Sequence, residues 1–88
     1  MDGRSRIAWN LRRIRSARHL TQEGLAFEAR IDRSTVSEIE NGKFNPSIDL
    51  LEKLSAVLGV DVLDLLAIPP VEEEPPSPMR SGRKPKQN

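Results

Sequence analysis

LTQEGLAFEARIDRSTVSEIENGKFNPS, residues 20–47, holds two short helical patterns separated by about four residues. The first opens at Thr21, a residue type that caps helix N-termini. Its apolar positions Leu25, Ala26 and Ala29 share one face. The second opens at Asp32, another capping type, carries Val36 and Ile39, and stops at Asn41-Gly42, a helix-end signal. Neither segment is long enough to hold as an isolated helix, so both must dock on other elements. The outer face of the second begins with Arg33, Ser34, Thr35, Ser37 and Glu38. A polar leading edge on a short, docked helix is suited to reading base-pair edges in a groove.

The stretch resembles the helix-turn-helix of the phage repressor and Cro type, also called the xenobiotic-response-element family. The matching pieces are Leu20-Thr21-Gln22-Glu23, Leu25-Ala26, Ser34-Thr35-Val36-Ser37, Ile39-Glu40-Asn41-Gly42-Lys43 and Asn45-Pro46-Ser47. The match continues through Leu51, Leu54, Leu58-Gly59-Val60 and Leu65-Leu66, and covers residues 5 to 67 without a gap. Asp32-Arg33-Ser34-Thr35 is also similar, over these few residues, to the small controller proteins of restriction–modification systems. The resemblance implies an all-α, lambda-repressor-like domain of five helices that binds double-stranded DNA.

Bulk properties agree with one small domain. The 88 residues give room for one core and a tail. No cysteine is present, which excludes disulfides and thiolate metal sites, and His19 is the single histidine. No cofactor or metal is expected. The sequence shows neither a long apolar run nor a secretory signal, so a cytoplasmic protein without membrane contact is expected. Net charge is only +1, but residues 1–45 carry nine Arg/Lys against six Asp/Glu. Residues 46–68 carry one Lys against four acids, so the basic half coincides with the two-helix motif.

Along the chain, the pattern predicts a first helix from Ser5 to Arg18, with Ile7, Leu11 and Ile14 as its buried stripe. Trp9 lies off that stripe, either covering the core edge or lining a partner surface. Ser47 caps a fourth helix to Leu58, with Leu51, Leu54 and Leu58 in one apolar row and Gly59 ending it. Asp61 caps a short fifth helix with Val62, Leu65 and Leu66 on one side. These make a domain over residues 1–68. From 69 to 88 the composition changes: six of the seven prolines lie there, with the acidic run Glu72-Glu73-Glu74 and the basic Arg80, Arg83, Lys84 and Lys86. A disordered, proline-rich charged tail is expected, serving as a solubilising extension, a basic arm for DNA or a docking segment for a protein partner.

The resemblance assigns roles residue by residue. It implies that Arg15 pairs with Glu40, tying the first helix to the third. It places glycines at the positions of His19 and Arg30, where the backbone takes positive φ, and a glutamate at Gly24, so the Thr-x-x-Glu capping box is lost here. On the reading helix, about residues 33–41, Arg33 suits guanine O6 and N7, and Ser34 and Thr35 can donate or accept. Ser37 lies on the same face. Glu38 can accept from cytosine or hold Arg33. Gln22 matches a glutamine that bridges a phosphate and the reading helix, and Asn41, Lys43 and Asn45 match positions that hold the DNA backbone; phosphate contacts set register without reading sequence. One half-site of a few base pairs is too short an address in a genome, so a homodimer on a palindromic operator is expected. Val62, Leu65 and Leu66 offer its surface, or else cap the core.

A sequence-specific transcription regulator is the leading expectation, with no small-molecule ligand domain. An antitoxin-like or adaptor domain that binds a partner protein is the alternative. An enzyme is not expected, because one histidine, no cysteine and no paired carboxylates leave no acid–base constellation. Ser81-Gly82-Arg83-Lys84 matches S-x-x-K only formally, since it falls in the tail.

Overall fold

The first turn of the chain is set by Asp2, whose carboxylate accepts from the Ser5 N–H at 2.9 Å. That bond starts the first helix at Gly3, two residues ahead of the Ser5 start read from the pattern. It also holds the exposed Asp2 carboxyl below the usual carboxylate range. Its cap contribution is therefore present at neutral pH and fades as pH falls through the lowered value. The computed structural model describes residues 1–70, which contain α1 (Gly3–Ala17), α2 (Gln22–Ala29), α3 (Arg33–Glu40), α4 (Ile48–Leu58) and α5 (Val62–Leu66). The acidic run and basic end of the expected tail lie outside the described residues.

Four of these five helices have a side-chain cap. Besides Asp2, Thr21 Oγ1 accepts from Gly24 N–H at 2.9 Å, so half of the box survives the loss of glutamate at that position. Ser47 Oγ accepts from Leu50 N–H at 3.0 Å. Asp61 accepts from Leu63 N–H while Asp64 accepts from Asp61 N–H, each at 2.9 Å, which closes a reciprocal box. A five-residue helix has almost no stability of its own, so this box and its packing hold α5 in place.

The core is built from Ile7, Leu11 and Ile14 of α1, Leu25, Ala26 and Ala29 of α2, Val36 and Ile39 of α3, Leu51, Leu54 and Leu58 of α4, and Leu65 of α5. α1 packs on α3 and α5, α2 packs on α3 and α4, and α4 packs on α5. Phe44 and the half-buried Val62 and Leu66 line its edge. Leu65 is 0 % exposed, so of the two places expected for it, dimer surface or core cap, it takes the core. It points inward where α5 packs on α1 and α4. Trp9 is half-buried, and Pro69, just past the expected domain boundary, is buried.

A buried polar residue ties α5 and the residues after it to α1. Asn10, on the same face as Ile7 and Ile14, donates its side-chain amide to Leu65 O at 3.0 Å and Ala67 O at 2.7 Å. Carbonyls at a helix C-terminus have no partner within the helix, and Asn10 supplies one.

His19 and Arg30 both occupy the left-handed region, at φ 59° and 61°. A side chain there costs roughly 1–2 kcal/mol, partly offset in a glycine variant by extra freedom of the unfolded chain. Arg30→Gly is therefore expected to stabilise the domain by about 1 kcal/mol, while Arg30→Ala is not. Thermal unfolding of the two variants checks this, the first melting roughly 4–8 °C higher.

Candidate nucleic-acid interface

Arg30 turns the chain between α2 and α3. Ile31 N–H donates to Ala26 O at 3.0 Å and Arg30 N–H to Phe27 O at 3.2 Å, which closes the end of α2. Asp32 then starts α3, and Val36, Ile39 and Glu40 face inward. The opposite side carries the expected reading residues. Arg33, Ser34 and Glu38 are exposed, and Thr35 and Ser37 are half-buried at the flanks of that face. Glu38 makes no ion pair with Arg33 among the described residues. Asp32 makes no side-chain cap bond, so α3 is the one described helix whose first-turn amides are not closed by a side chain. Gly42, at φ 73°, ends the helix with Lys43 N–H donating to Glu38 O at 3.0 Å. Asn41, Lys43 and Asn45 follow, all exposed.

The position of α3 is set by charge as well as by packing. Arg15 donates Nε to Glu40 Oε2 at 2.6 Å and Nη2 to Glu40 Oε1 at 2.9 Å, a two-pronged pair with both groups buried. Its Nη1 donates to Leu20 O at 2.8 Å. Glu40 Oε1 also accepts from Gln22 Nε2 at 3.0 Å, and Arg12 Nη2 donates to Glu40 O at 3.2 Å. One carboxylate thus joins α1, α2 and α3. Gln22, expected to bridge a phosphate and the reading helix, makes the helix contact here through Glu40 of α3.

What the arrangement can do is bind a polyanion. Arg33 and Lys43 bring charge at the two ends of α3, Ser34, Ser37 and Asn41 bring neutral donors, and the Arg33 and Ser34 amides, which no side chain caps, add more. Among the described residues no cluster of His, Asp and Glu could hold a metal ion, and no helix is long and apolar enough to cross a membrane.

Comparison with known proteins agrees with this geometry. Residues 11–65 match the helix-turn-helix family model. The control protein C.BamHI of Bacillus amyloliquefaciens is 47% identical over 57 residues, 64% of this chain and 70% of that protein. The crystal structure of a hypothetical transcription factor from Neisseria superposes with TM-score 0.75 at 38% identity, covering 81% of this chain and 80% of that one. The restriction-modification controller protein C.AhdI from Aeromonas hydrophila superposes with TM-score 0.68 at 35% identity, covering 70% and 94%. With five helices in this order, an inward-facing glutamate on the third and a polar edge opposite it, the chain belongs to the phage-repressor and Cro-type helix-turn-helix family of DNA-binding transcription regulators.

Proposed function

We propose that the protein is a sequence-specific regulator that lays the N-terminal half of α3 in the major groove, as a twofold dimer on a palindromic operator. The observation that carries this is the division of α3 into two sides. Its apolar side and Glu40 are locked into the bundle, while Arg33, Ser34, Thr35, Ser37 and Glu38 form an outward polar edge. Arg33 reads guanine, Ser34 and Thr35 read neighbouring edges, and Glu38 accepts from cytosine. Gln22, Asn41, Lys43 and Asn45 hold phosphates and set register.

The dimer surface we assign to α5 and the residues after it. Leu63 and Ile68 are 68% and 71% exposed, beside the half-buried Val62 and Leu66. Large apolar side chains left in water on one short stretch of chain are best covered by a second copy. Two copies would present two α3 edges to half-sites about 34 Å apart, or a multiple of that.

Selection of bound fragments from a random duplex pool tests the reading. An inverted repeat bound by two protomers is the expected product. Recovery of fragments with no shared sequence would overturn it. Similarity to a restriction-modification controller makes the promoter of such a system a second duplex to try. Lys43→Ala is expected to weaken binding to operator and random DNA alike, and to flatten the log–log salt dependence by about one unit. A titration across salt concentrations measures both.

A further inference from the structure

Arg4, Ala8 and Arg12 recur at i, i+4 and i+8 on α1 and so share one side of it. The row runs about 12 Å along the helix. Both of its ends meet the chain that leaves α3. At one end Arg12 Nη2 donates to the carbonyl of Glu40, the last residue of α3, at 3.2 Å. At the other, Arg4 lines an open cleft together with Asn45. The buried Ile7 also lines that cleft, and Asp2 and Gly3 complete it. This side of α1 therefore borders the chain from Glu40 to Asn45 at both of its ends, and that chain carries the exposed Asn41, Lys43 and Asn45.

The two arginines of the row are engaged differently. Arg12 is committed to Glu40. Arg4 is exposed and makes no hydrogen bond or salt bridge among the described residues. Asp2, the one acid lining the cleft, is occupied as the cap of Ser5. A cation in the first turn of a helix is also repelled by the positive end of the helix dipole, and a phosphate there would reverse the sign of that term. A guanidinium is suited to such a partner because its planar fork can grip two oxygens.

We propose that the first turn of α1 is a further backbone-holding element, with Arg4 taking the phosphate next to the one held at Asn45. This rests on the reading of Asn45 as a phosphate contact. The contact adds affinity without discriminating between sequences. It also joins α1 to the duplex directly, where otherwise α1 is coupled to the DNA only through its packing on α3 and the Arg15–Glu40 pair.

Salt titrations of the full chain on operator and random duplex test it. Arg4→Ala and Arg4→Lys are compared with Lys43→Ala and with Lys53→Ala, an exposed position on α4 away from this row. Arg4→Ala is expected to weaken both duplexes and to flatten the log–log salt dependence by about one unit per protomer. The affinity ratio of native chain to Arg4→Ala should then shrink about 3- to 4-fold from about 50 to 200 mM salt. Arg4→Lys should keep the native slope, and so should Lys53→Ala. Without DNA the Tm of Arg4→Ala should not fall, because Arg4 supports no contact in the fold. Ethylation of single phosphates places the contact. One phosphate should matter to the native chain and not to Arg4→Ala, adjacent to the one that behaves so for Asn45→Ala. A native slope in Arg4→Ala beside a flattened one in Lys43→Ala would overturn the α1 contact and leave the α3 reading standing. Native slopes in both would overturn the two together. Equal flattening in Lys53→Ala would mean that net charge, not position, sets the slope, and a loss confined to the operator would make Arg4 a base contact; either overturns the proposal.

Discussion

Replacing Glu40 with alanine is expected to remove about 3–5 kcal/mol from the domain, the range for breaking one side of a buried ion pair. The size follows from what is left behind. Arg15 is 2% exposed and loses both of its charged contacts, keeping only the Leu20 carbonyl. Gln22 Nε2 loses its acceptor at the same time. A domain of this length has roughly 4–10 kcal/mol in total, so the variant should be partly unfolded at 25 °C. Urea unfolding followed by helical circular dichroism measures this. A loss below about 1 kcal/mol would mean that water reaches the pair and screens it.

The control separates burial of charge from loss of contact. Arg15→Met with Glu40→Leu removes both charges and fills the volume with carbon. That double variant should recover most of the stability lost by Glu40→Ala, because an apolar pair carries no desolvation penalty. It should not recover DNA binding in full, since Gln22 then has no carboxylate to donate to.

How much of this could be read beforehand depended on how local the signal was. α3 and α4 were legible because each is bracketed by a capping type and a turn, Asp32 and Gly42, Ser47 and Gly59, while α2 opens at the capping type Thr21 and its end at Arg30 followed from the resemblance. The polar edge of α3 was legible because Val36, Ile39 and Glu40 leave only one side for it. The inward side of α5 was left open for the opposite reason. α5 is apolar nearly all round, at Val62, Leu63, Leu65 and Leu66, and its period cannot say which side faces inward. That choice is made by Asn10, 55 residues earlier in the chain. Asn10 did leave a trace, as a polar residue inside the Ile7–Ile14 stripe, where a buried amide must find partners. The Asp2 cap was missed because terminal residues usually fray, and here one side-chain bond prevents it.

On the operator, Arg33→Ala is expected to cost about 1–3 kcal/mol, a loss of roughly 5- to 150-fold in affinity. Arg33 is exposed and makes no bond that α3 needs, so the fold should be untouched and the whole loss should appear in DNA binding. Three comparisons separate reading from mere charge. Arg33→Lys keeps the charge but loses the planar fork, so it should restore little on the operator. Arg33→Ala should weaken random duplex much less than operator, the reverse of the uniform loss expected for Lys43→Ala. Selection with the alanine variant should relax one base position in each half-site and leave the others intact. Equal losses on operator and random DNA would instead make Arg33 a phosphate contact. Sequence reading would then fall to Ser34 and Glu38, the other exposed residues on the outward side of α3.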